Sequence, residues 1–317
     1  MRILVVGAGA IGGYFGGRLL EAGRDVTFLV RSARAARLAE SGLSIRSAFG
    51  DVDWPAPPTI TADAIDEPFD LVLVSCKSYD LDGAIDDFAP AVGPETAVVP
   101  LLNGLRHLDV LDARFGADRV LGGLCLISTK LDDTGRIAHL SDVHRLAFGA
   151  RVPSQAKQVE AIAEAFAGAT FESRASDDIL LEMWEKWVFL ATLAGVTCLM
   201  RASIGDVVAA EGADLAAAML EECRAVADAN GRPPRPSVFE SARARLTAPG
   251  SHLTASMLTD LERGGRTEAD HVLGDLLRRR PEAPPPDHSL LRLAYTALKA
   301  QEARAGRESW LVGPPRP

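Results

Sequence analysis

Cysteine and long apolar runs are both scarce in this sequence, and each shortage excludes a class of protein. Only four of the 317 residues are cysteine, with no CxxC spacing, which excludes a disulfide scaffold and a cysteine-ligated metal site. We expect buried free thiols in a reducing, cytoplasmic compartment. The longest strongly apolar stretch, Val188 to Met200, is shorter than the roughly 20 residues that a membrane-spanning helix needs. We therefore expect no membrane segment.

Positive charge is also in short supply. The chain carries 34 Lys and Arg against 43 Asp and Glu, which gives a formal net charge of −9. A surface this acidic repels phosphate backbones, so we expect no nucleic-acid partner. The six histidines form no cluster typical of a metal site, and none is predicted. No small-residue cleavage site follows the first apolar residues, which argues against a signal peptide.

The first half of the chain has the pattern of parallel βαβ units. Up to about residue 175, short β-branched runs alternate with helix-like stretches. The predicted strands are Arg2–Val6, Asp25–Val30, Leu71–Ser75 and Ala97–Leu102, followed by the partly antiparallel Val120–Ser128, Arg136–Leu140 and Arg145–Gly149.

After Ser176 the apolar residues recur at helical spacing instead. The predicted helices are Asp177–Met200, Gly212–Asn230, Ser251–Arg279 and His288–Ala305. A chain of this length also exceeds what one hydrophobic core usually holds. We therefore predict an α/β protein with an N-terminal Rossmann-type doubly wound sheet in residues 1–175 and a second, all-helical domain in residues 176–317.

A glycine-rich turn follows the first predicted strand. It has the sequence Gly7-Ala8-Gly9-Ala10-Ile11-Gly12, a GxGxxG pattern between a strand and a helix. In that context the first glycine permits the turn, the second leaves room for a pyrophosphate, and the third lets helix and strand pack closely. A glycine-rich turn without a ligand is the alternative. The flanking strands and helix favour dinucleotide binding.

Basic residues follow the second predicted strand, where an NAD-binding site would have a carboxylate. Arg31, with Arg34 close behind it, favours the 2′-phosphate of NADP(H), although a solvated arginine pair is the alternative. Lys77 and Asn103 follow two further strands, where ligands of parallel sheets lie. Asn103-Gly104 could also be a turn without a ligand.

Lys186 lies in an apolar predicted helix, between Trp184 and Trp187. Reduction of a ketone leaves negative charge on its oxygen, so a reductase needs a proton donor or a fixed cation there. Lys186 is the candidate. A lysine that reaches solvent, or that pairs with Glu182 one turn earlier, is the alternative.

A further pair of polar residues lies in the predicted helix Ser251–Arg279. Glu268 follows Ser256 by twelve residues, which would place the two side chains ~120° apart on a straight helix. Gly264 and Gly265 lie between them and would allow a bend. Otherwise Glu268 is an ordinary solvated carboxylate.

Together these segments resemble the ketopantoate reductase family, the 2-dehydropantoate 2-reductases. The resemblance covers nearly the whole chain and includes Ser256-Met257-Leu258 and Thr267-Glu268 at the family's spacing. It implies an NADPH-binding first domain and a helical second domain. It also implies roles for four residues: Lys186 as general acid, Glu268 on cofactor or substrate hydroxyls, Ser256 on the substrate carboxylate, and Asn103 between cofactor and substrate.

Several asparagines of the family are missing. Leu190 and Ala194 stand four and eight residues after Lys186, where the family has asparagines that bind substrate, and Leu253 and Ile204 replace two more. A substrate with several hydroxyl groups would lose about 1 to 3 kcal/mol for each buried polar group left unpaired. We therefore expect the positions of Leu190 and Ala194 to contact a more apolar substrate.

The sequence thus predicts an NADPH-dependent reductase of a 2-oxo acid or ketone, with ketopantoate or a more apolar compound as substrate. Two alternatives stay open: a non-catalytic NADP(H)-binding sensor or regulator, and an NADP-dependent hydroxyacid dehydrogenase. The expected partner is the small-molecule substrate, and assembly into a homodimer also stays open.

Overall fold

The computed structural model describes residues 1–281 and 288–312. The chain forms two compact units. The first consists of Met1–Leu102 and His107–Leu180, and the second combines the short segment Asn103–Arg106 with the residues from Leu181 onward. Asn103 thus belongs with the helical residues, although it follows a strand of the first unit along the chain.

The first unit contains ten strands and five helices. In chain order they are β1 Arg2–Val6, α1 Ala10–Glu21, β2 Asp25–Leu29, α2 Ser32–Ser41, β3 Leu43–Arg46, β4 Val52–Trp54, β5 Thr59–Ile60, β6 Leu71–Val74, α3 Leu81–Phe88, β7 Ala97–Pro100, α4 Arg106–Phe115, β8 Gly122–Leu131, β9 Ile137–Gly149, α5 Ala156–Phe166 and β10 Glu172–Ala175.

A parallel sheet forms the centre of this unit. Its strand order is β5-β2-β1-β6-β7, with Ile3 opposite both Val26 and Leu71 in the register. Strands β6 and β7 are buried along their whole length. Such continuous apolar runs are typical of parallel sheets covered on both faces. The predicted α/β fold class is confirmed, and the first four of the seven predicted strands correspond to β1, β2, β6 and β7.

A second, mixed sheet has the order β10-β9-β3-β4, with β8 antiparallel to β9. The prediction of two strands, Arg136–Leu140 and Arg145–Gly149, was wrong, because β9 runs unbroken through both. Its register against β8 shifts between Ile127 and Thr129, which explains why the alternation of apolar residues breaks there. Strands β3, β4 and β5 have two to four residues, too few to show alternation.

The second unit contains helices and loops, and no strand, among its described residues. Its elements are α6 Ile179–Met200, α7 Ile204–Ala209, α8 Ala213–Ala229, α9 Pro236–Leu246, α10 Ser256–Glu262, a π-helical turn Asp270–Gly274, α11 Asp275–Arg278 and α12 Leu290–Val312. Among residues 1–281 and 288–312, no helix combines the length and apolarity needed to cross a membrane.

The single helix predicted over Ser251–Arg279 is instead interrupted. Helix α10 ends at Glu262, and Gly264 then takes a φ of +68°, a left-handed conformation that costs glycine little. Helical structure resumes beyond Glu268. The interruption supplies the bend that Ser256 and Glu268 need if both are to serve one site.

Candidate active site

The glycine turn of the first unit is closed by Ser75, at the end of β6. The Ser75 hydroxyl donates to the Val6 carbonyl at 2.8 Å, and Gly7 adopts a φ of +92°. A Cβ placed on Gly12 would lie 2.1 Å from Ser75 Oγ and 2.2 Å from the Gly7 carbonyl oxygen. Both distances are far below van der Waals contact, so this position accepts glycine alone. The turn is therefore packed directly on the strands.

The middle of the same turn is open. A Cβ placed on Gly9 would meet no atom within 4 Å, and Gly9 provides no side-chain cap for helix α1, which begins at Ala10. Ala8 is buried, whereas Ala10 and Ile11 are half-buried. The first amides of a helix attract anions, and here the space before them is free of side chains. The turn therefore has room for a pyrophosphate, and its role in binding one stays a prediction.

Three arginines lie on the segment after β2. Arg34 donates to the Ala8 carbonyl at 2.9 Å, so its guanidinium touches the glycine turn. Burial lowers the pKa of Arg34, and neighbouring Arg37 lowers it further. Both effects disfavour the bare cation, so a phosphate beside it would be stabilised. The sequence singled out Arg31 and Arg34. It missed Arg37, which lies one turn further along α2.

Arg31 itself is 72% exposed and makes a long contact of 3.5 Å with Asp80. Exposed pairs of this kind contribute little, about 0 to 1 kcal/mol. An incoming phosphate therefore competes with Asp80 at small cost. Lys77 is half-buried and precedes the short 3-10 turn Ser78–Asp80, which carries this aspartate.

In the second unit, two contacts fix helix α6 around Lys186. The indole nitrogen of Trp187 donates to the Val272 carbonyl at 2.8 Å in the buried interior. On the other side, the Glu185 carboxylate is 4% exposed and accepts from the backbone and side chain of Arg235, each at 2.8 Å. Lys186 lies between these two anchored residues and is half-buried. Its helix backbone is therefore held on both flanks.

In the second unit, apolar side chains stand at the four positions where the family has asparagines. Leu190 and Ala194 lie one and two turns beyond Lys186, the first half-buried and the second buried. The amide of Ile204 donates to the Leu253 carbonyl at 3.0 Å, so two of these positions are joined by the backbone. None of the four side chains can donate or accept a hydrogen bond.

Asn103 meets the helical residues through His271. The ring of His271 is buried and hydrogen-bonds the backbone of Asn103, while a Cβ on Gly104 would lie 3.0 Å from His271 Cδ2. The Glu268 carbonyl accepts from the amide of His271 at 3.1 Å. The structure thus connects Asn103 with Glu268, whereas Ser256 lies exposed at the start of α10. Sequence analysis missed His271, since a single buried histidine carries no pattern.

Among the residues that the structure describes, no group of three or more His, Cys, Asp or Glu is arranged to hold a metal ion.

Comparison with known families agrees with this arrangement. The family model described as "Ketopantoate reductase PanE/ApbA" matches residues 3–152, and "Ketopantoate reductase PanE/ApbA C terminal" matches residues 178–283. The chain belongs to the ketopantoate reductase family of oxidoreductases. The resemblance inferred from the sequence motifs is therefore confirmed.

Three proteins are similar to this chain, two in sequence and one in fold alone. An uncharacterized oxidoreductase of Bacillus subtilis, YkpB, is 39% identical over 307 residues, which covers 96% of this chain and 99% of that protein. The crystal structure of 2-dehydropantoate 2-reductase from Methylococcus capsulatus is 28% identical with a TM-score of 0.83, covering 98% of this chain and 99% of that one. A D-mandelate dehydrogenase with NADH and anilino(oxo)acetate shares the fold, with a TM-score of 0.85 at 19% identity and coverages of 96% and 100%.

The open space at Gly9 generates a direct test of the turn. In Gly9→Ala we expect unchanged stability, because nothing lies within 4 Å of the new methyl group. We expect dinucleotide affinity to fall by about tenfold or more, equivalent to about 1.4 kcal/mol, because the methyl would occupy the place of the pyrophosphate. Fluorescence titration with NADPH and NADH and a urea unfolding curve measure the two quantities.

Gly83→Ala is the matched control. Gly83 is an exposed helical glycine of the same unit, also with nothing within 4 Å of its Cβ position. The Gly83→Ala variant should bind NADPH and NADH with the affinity of the parent protein. Equal affinity of Gly9→Ala and Gly83→Ala for both dinucleotides would contradict the assignment of this turn.

Proposed function

We propose that this protein is an NADPH-dependent reductase of a 2-oxo acid, or a related ketone, that is more apolar than ketopantoate. The observation that carries the proposal is the face of α6 on which the half-buried Lys186 is followed by Leu190 and Ala194. A cation suits a carbonyl oxygen that becomes negatively charged, and the two apolar side chains suit a hydrocarbon substituent.

The residues proposed to hold NADP(H) are those of the glycine turn, Gly7 to Gly12, with Arg31 at the 2′-phosphate and Lys77 beside it. Arg34 supports the choice of the phosphorylated cofactor, because its cation already lies against the turn at Ala8. Asn103 and Glu268 complete the proposed set at the nicotinamide end. The cofactor-binding role of residues 1–175 and the substrate-binding role of residues 176–317 are part of the same proposal.

The chemistry follows from the roles of the side chains. Bound NADPH would supply a hydride equivalent to the carbonyl carbon. Lys186 donates the proton that the carbonyl oxygen gains, and its charge stabilises that oxygen while negative charge develops. The Ser256 hydroxyl holds the substrate carboxylate, and the Asn103 amide orients the reacting carbonyl. Anchors on both flanks of Lys186 keep its backbone from moving during the reaction.

The preference for an apolar substrate combines a cost for buried hydroxyl groups with a gain for buried hydrocarbon. Each substrate hydroxyl buried against Leu190, Ala194, Leu253 or Ile204 lacks a partner, at about 1 to 3 kcal/mol. Each methylene group buried there instead gains about 0.8 kcal/mol. The 2-dehydropantoate 2-reductase at 28% identity supports a 2-oxo acid as the reacting group.

The loss of the amide side chains also favours one alternative, a sensor that binds NADP(H) without turnover. Such a protein needs no proton donor, so the anchored position of Lys186 favours the enzyme. Reaction in the oxidative direction, as a hydroxyacid dehydrogenase, would use the same residues with Lys186 as the proton acceptor.

The test of the function is NADPH oxidation with ketopantoate and a panel of 2-oxo acids with longer aliphatic or aromatic substituents. We expect the highest kcat/KM for the apolar members. Lys186→Ala should lower kcat by about 10²- to 10⁴-fold while NADPH still binds. Lys157→Ala, which removes an exposed lysine of α5, is the control and should retain activity.

Two results would overturn the proposal. NADPH binding by the parent protein without turnover of any 2-oxo acid or ketone in the panel would favour the sensor. Full turnover by Lys186→Ala would remove the assigned proton donor.

Cofactor choice gives a second prediction. Arg31→Ala should weaken NADPH binding by about tenfold or more, since a charge-assisted contact with the 2′-phosphate is lost, and should leave NADH binding unchanged. Asp80→Asn should instead strengthen NADPH binding, because it removes the carboxylate that competes for Arg31. Equal effects of Arg31→Ala on NADPH and NADH would contradict the assignment of the 2′-phosphate site.

A further inference from the structure

The π-helical turn Asp270–Gly274 is held rigidly by helix α12. The Asp270 carboxylate accepts from the Tyr295 hydroxyl at 2.7 Å and from Lys299 Nζ at 2.8 Å. At the other end, a Cβ on Gly274 would lie 3.0 Å from the Tyr295 ring. Both ends of the turn are therefore fixed to one helix. Turns of this wide kind are rare and frequently lie at functional sites.

His271 is the residue of this turn that faces the Asn103 segment. Its ring edge lies against Gly104, where a Cβ would be 3.0 Å from Cδ2 and 3.4 Å from Nε2. The hydrogen bond between the ring and the Asn103 backbone raises the pKa of His271, so the ring is the donor and the carbonyl accepts. Gly104 has a φ of +76°, and any side chain there would crowd the ring. The contact therefore fixes the backbone that carries the Asn103 amide.

Burial keeps the ring of His271 neutral against the charges around it. Burial lowers the pKa of His271 most strongly, Glu268 and Asp275 raise it, Arg106 lowers it, and the net shift is downward. A neutral imidazole has one N–H, and the Asn103 carbonyl determines which nitrogen carries it. The bond to Asn103 consequently persists at neutral pH.

The same turn also contacts the segments that bear the two other proposed site residues. The carbonyl of Val272, next to His271, accepts the indole N–H of Trp187, which adjoins Lys186. The Glu268 carbonyl accepts from the amides of His271 and Val272 at 3.1 and 2.9 Å. Asn103, Lys186 and Glu268 come from three separate segments. Within the second unit, this turn contacts all three of those segments.

We propose that His271 is a positioning residue, which holds the Asn103 segment at a fixed distance from the backbone that carries Lys186 and Glu268. This inference rests on the proposed function for its effect on catalysis, but its structural part does not. A displacement of about 1 Å in an oriented site can lower a rate by about 10²-fold, so loss of this contact is expected to affect kcat.

Two substitutions distinguish the effect of the hydrogen bond from the effect of the shape of the side chain. His271→Phe keeps a planar ring and removes the donor, whereas His271→Gln keeps a donor near the position of Nε2. His288→Phe is the matched control, because His288 is an exposed histidine of the same unit. The full-length variants are compared in three measurements: thermal unfolding, hydrogen–deuterium exchange of the peptide that contains residues 103–106, and steady-state kinetics with NADPH and the best 2-oxo acid.

In His271→Phe we expect faster exchange of residues 103–106 by about tenfold, and a kcat lower by about 10²-fold with the KM for NADPH within about threefold of the parent value. His271→Gln should restore most of the protection of residues 103–106 against exchange and most of the kcat. His288→Phe should match the parent protein.

Exchange of residues 103–106 in His271→Phe equal to that of His288→Phe would overturn the inference, whatever the activity. So would a kcat unchanged in His271→Phe, or failure of His271→Gln to recover any protection. If the parent protein reduces no 2-oxo acid, the proposed function fails, and the exchange measurement still decides whether His271 holds the Asn103 segment.

Discussion

The lack of space for a side chain at Gly12 is the constraint on which the proposed nucleotide-binding half depends. Ser75 Oγ and the Gly7 carbonyl occupy the position that a Cβ would take, so helix α1 approaches β1 and β6 as closely as the backbone allows. This approach brings the first amides of α1 to the carboxyl ends of the strands, where Arg34 adds its charge at the Ala8 carbonyl. The packed turn therefore has the geometry that suits a phosphate, and the arginines beside it are the residues proposed to select the phosphorylated dinucleotide.

In the helical half, the residues proposed for the reaction differ from those proposed to choose the substrate. Lys186 is held by its neighbours, Glu185 on one flank and Trp187 on the other, and neither contact depends on a substrate. The positions that would recognise substrate hydroxyls are aliphatic instead. A carbonyl and a carboxylate still have polar partners in the proposed site, but further hydroxyl groups do not. The proposed catalytic residues are thus compatible with a 2-oxo acid that is more apolar than ketopantoate.

Sequence reasoning succeeded where one residue type has one physical use. The glycines of the turn and the buried strands β1, β2, β6 and β7 follow from local conformational rules. The single helix predicted over Ser251–Arg279 was wrong, because helix α10 ends at Glu262. Sequence reasoning failed where tertiary contacts decide the outcome. Nothing local shows that His271 meets Asn103, 168 residues earlier in the chain, or that residues 270–274 form a π-helical turn. The short strands β3 to β5 likewise form only because neighbouring strands pair with them.

An isotope label on the cofactor provides the sharpest test of the proposed hydride transfer. NADPH carrying deuterium at the transferable position of the nicotinamide is incubated with the protein and an apolar 2-oxo acid, and the hydroxy acid is analysed by mass spectrometry. We expect a product that carries one deuterium at C2, formed by the parent protein and lost in Lys186→Ala. A protein that binds NADPH yet forms no labelled hydroxy acid from any 2-oxo acid or ketone would contradict the proposed hydride transfer.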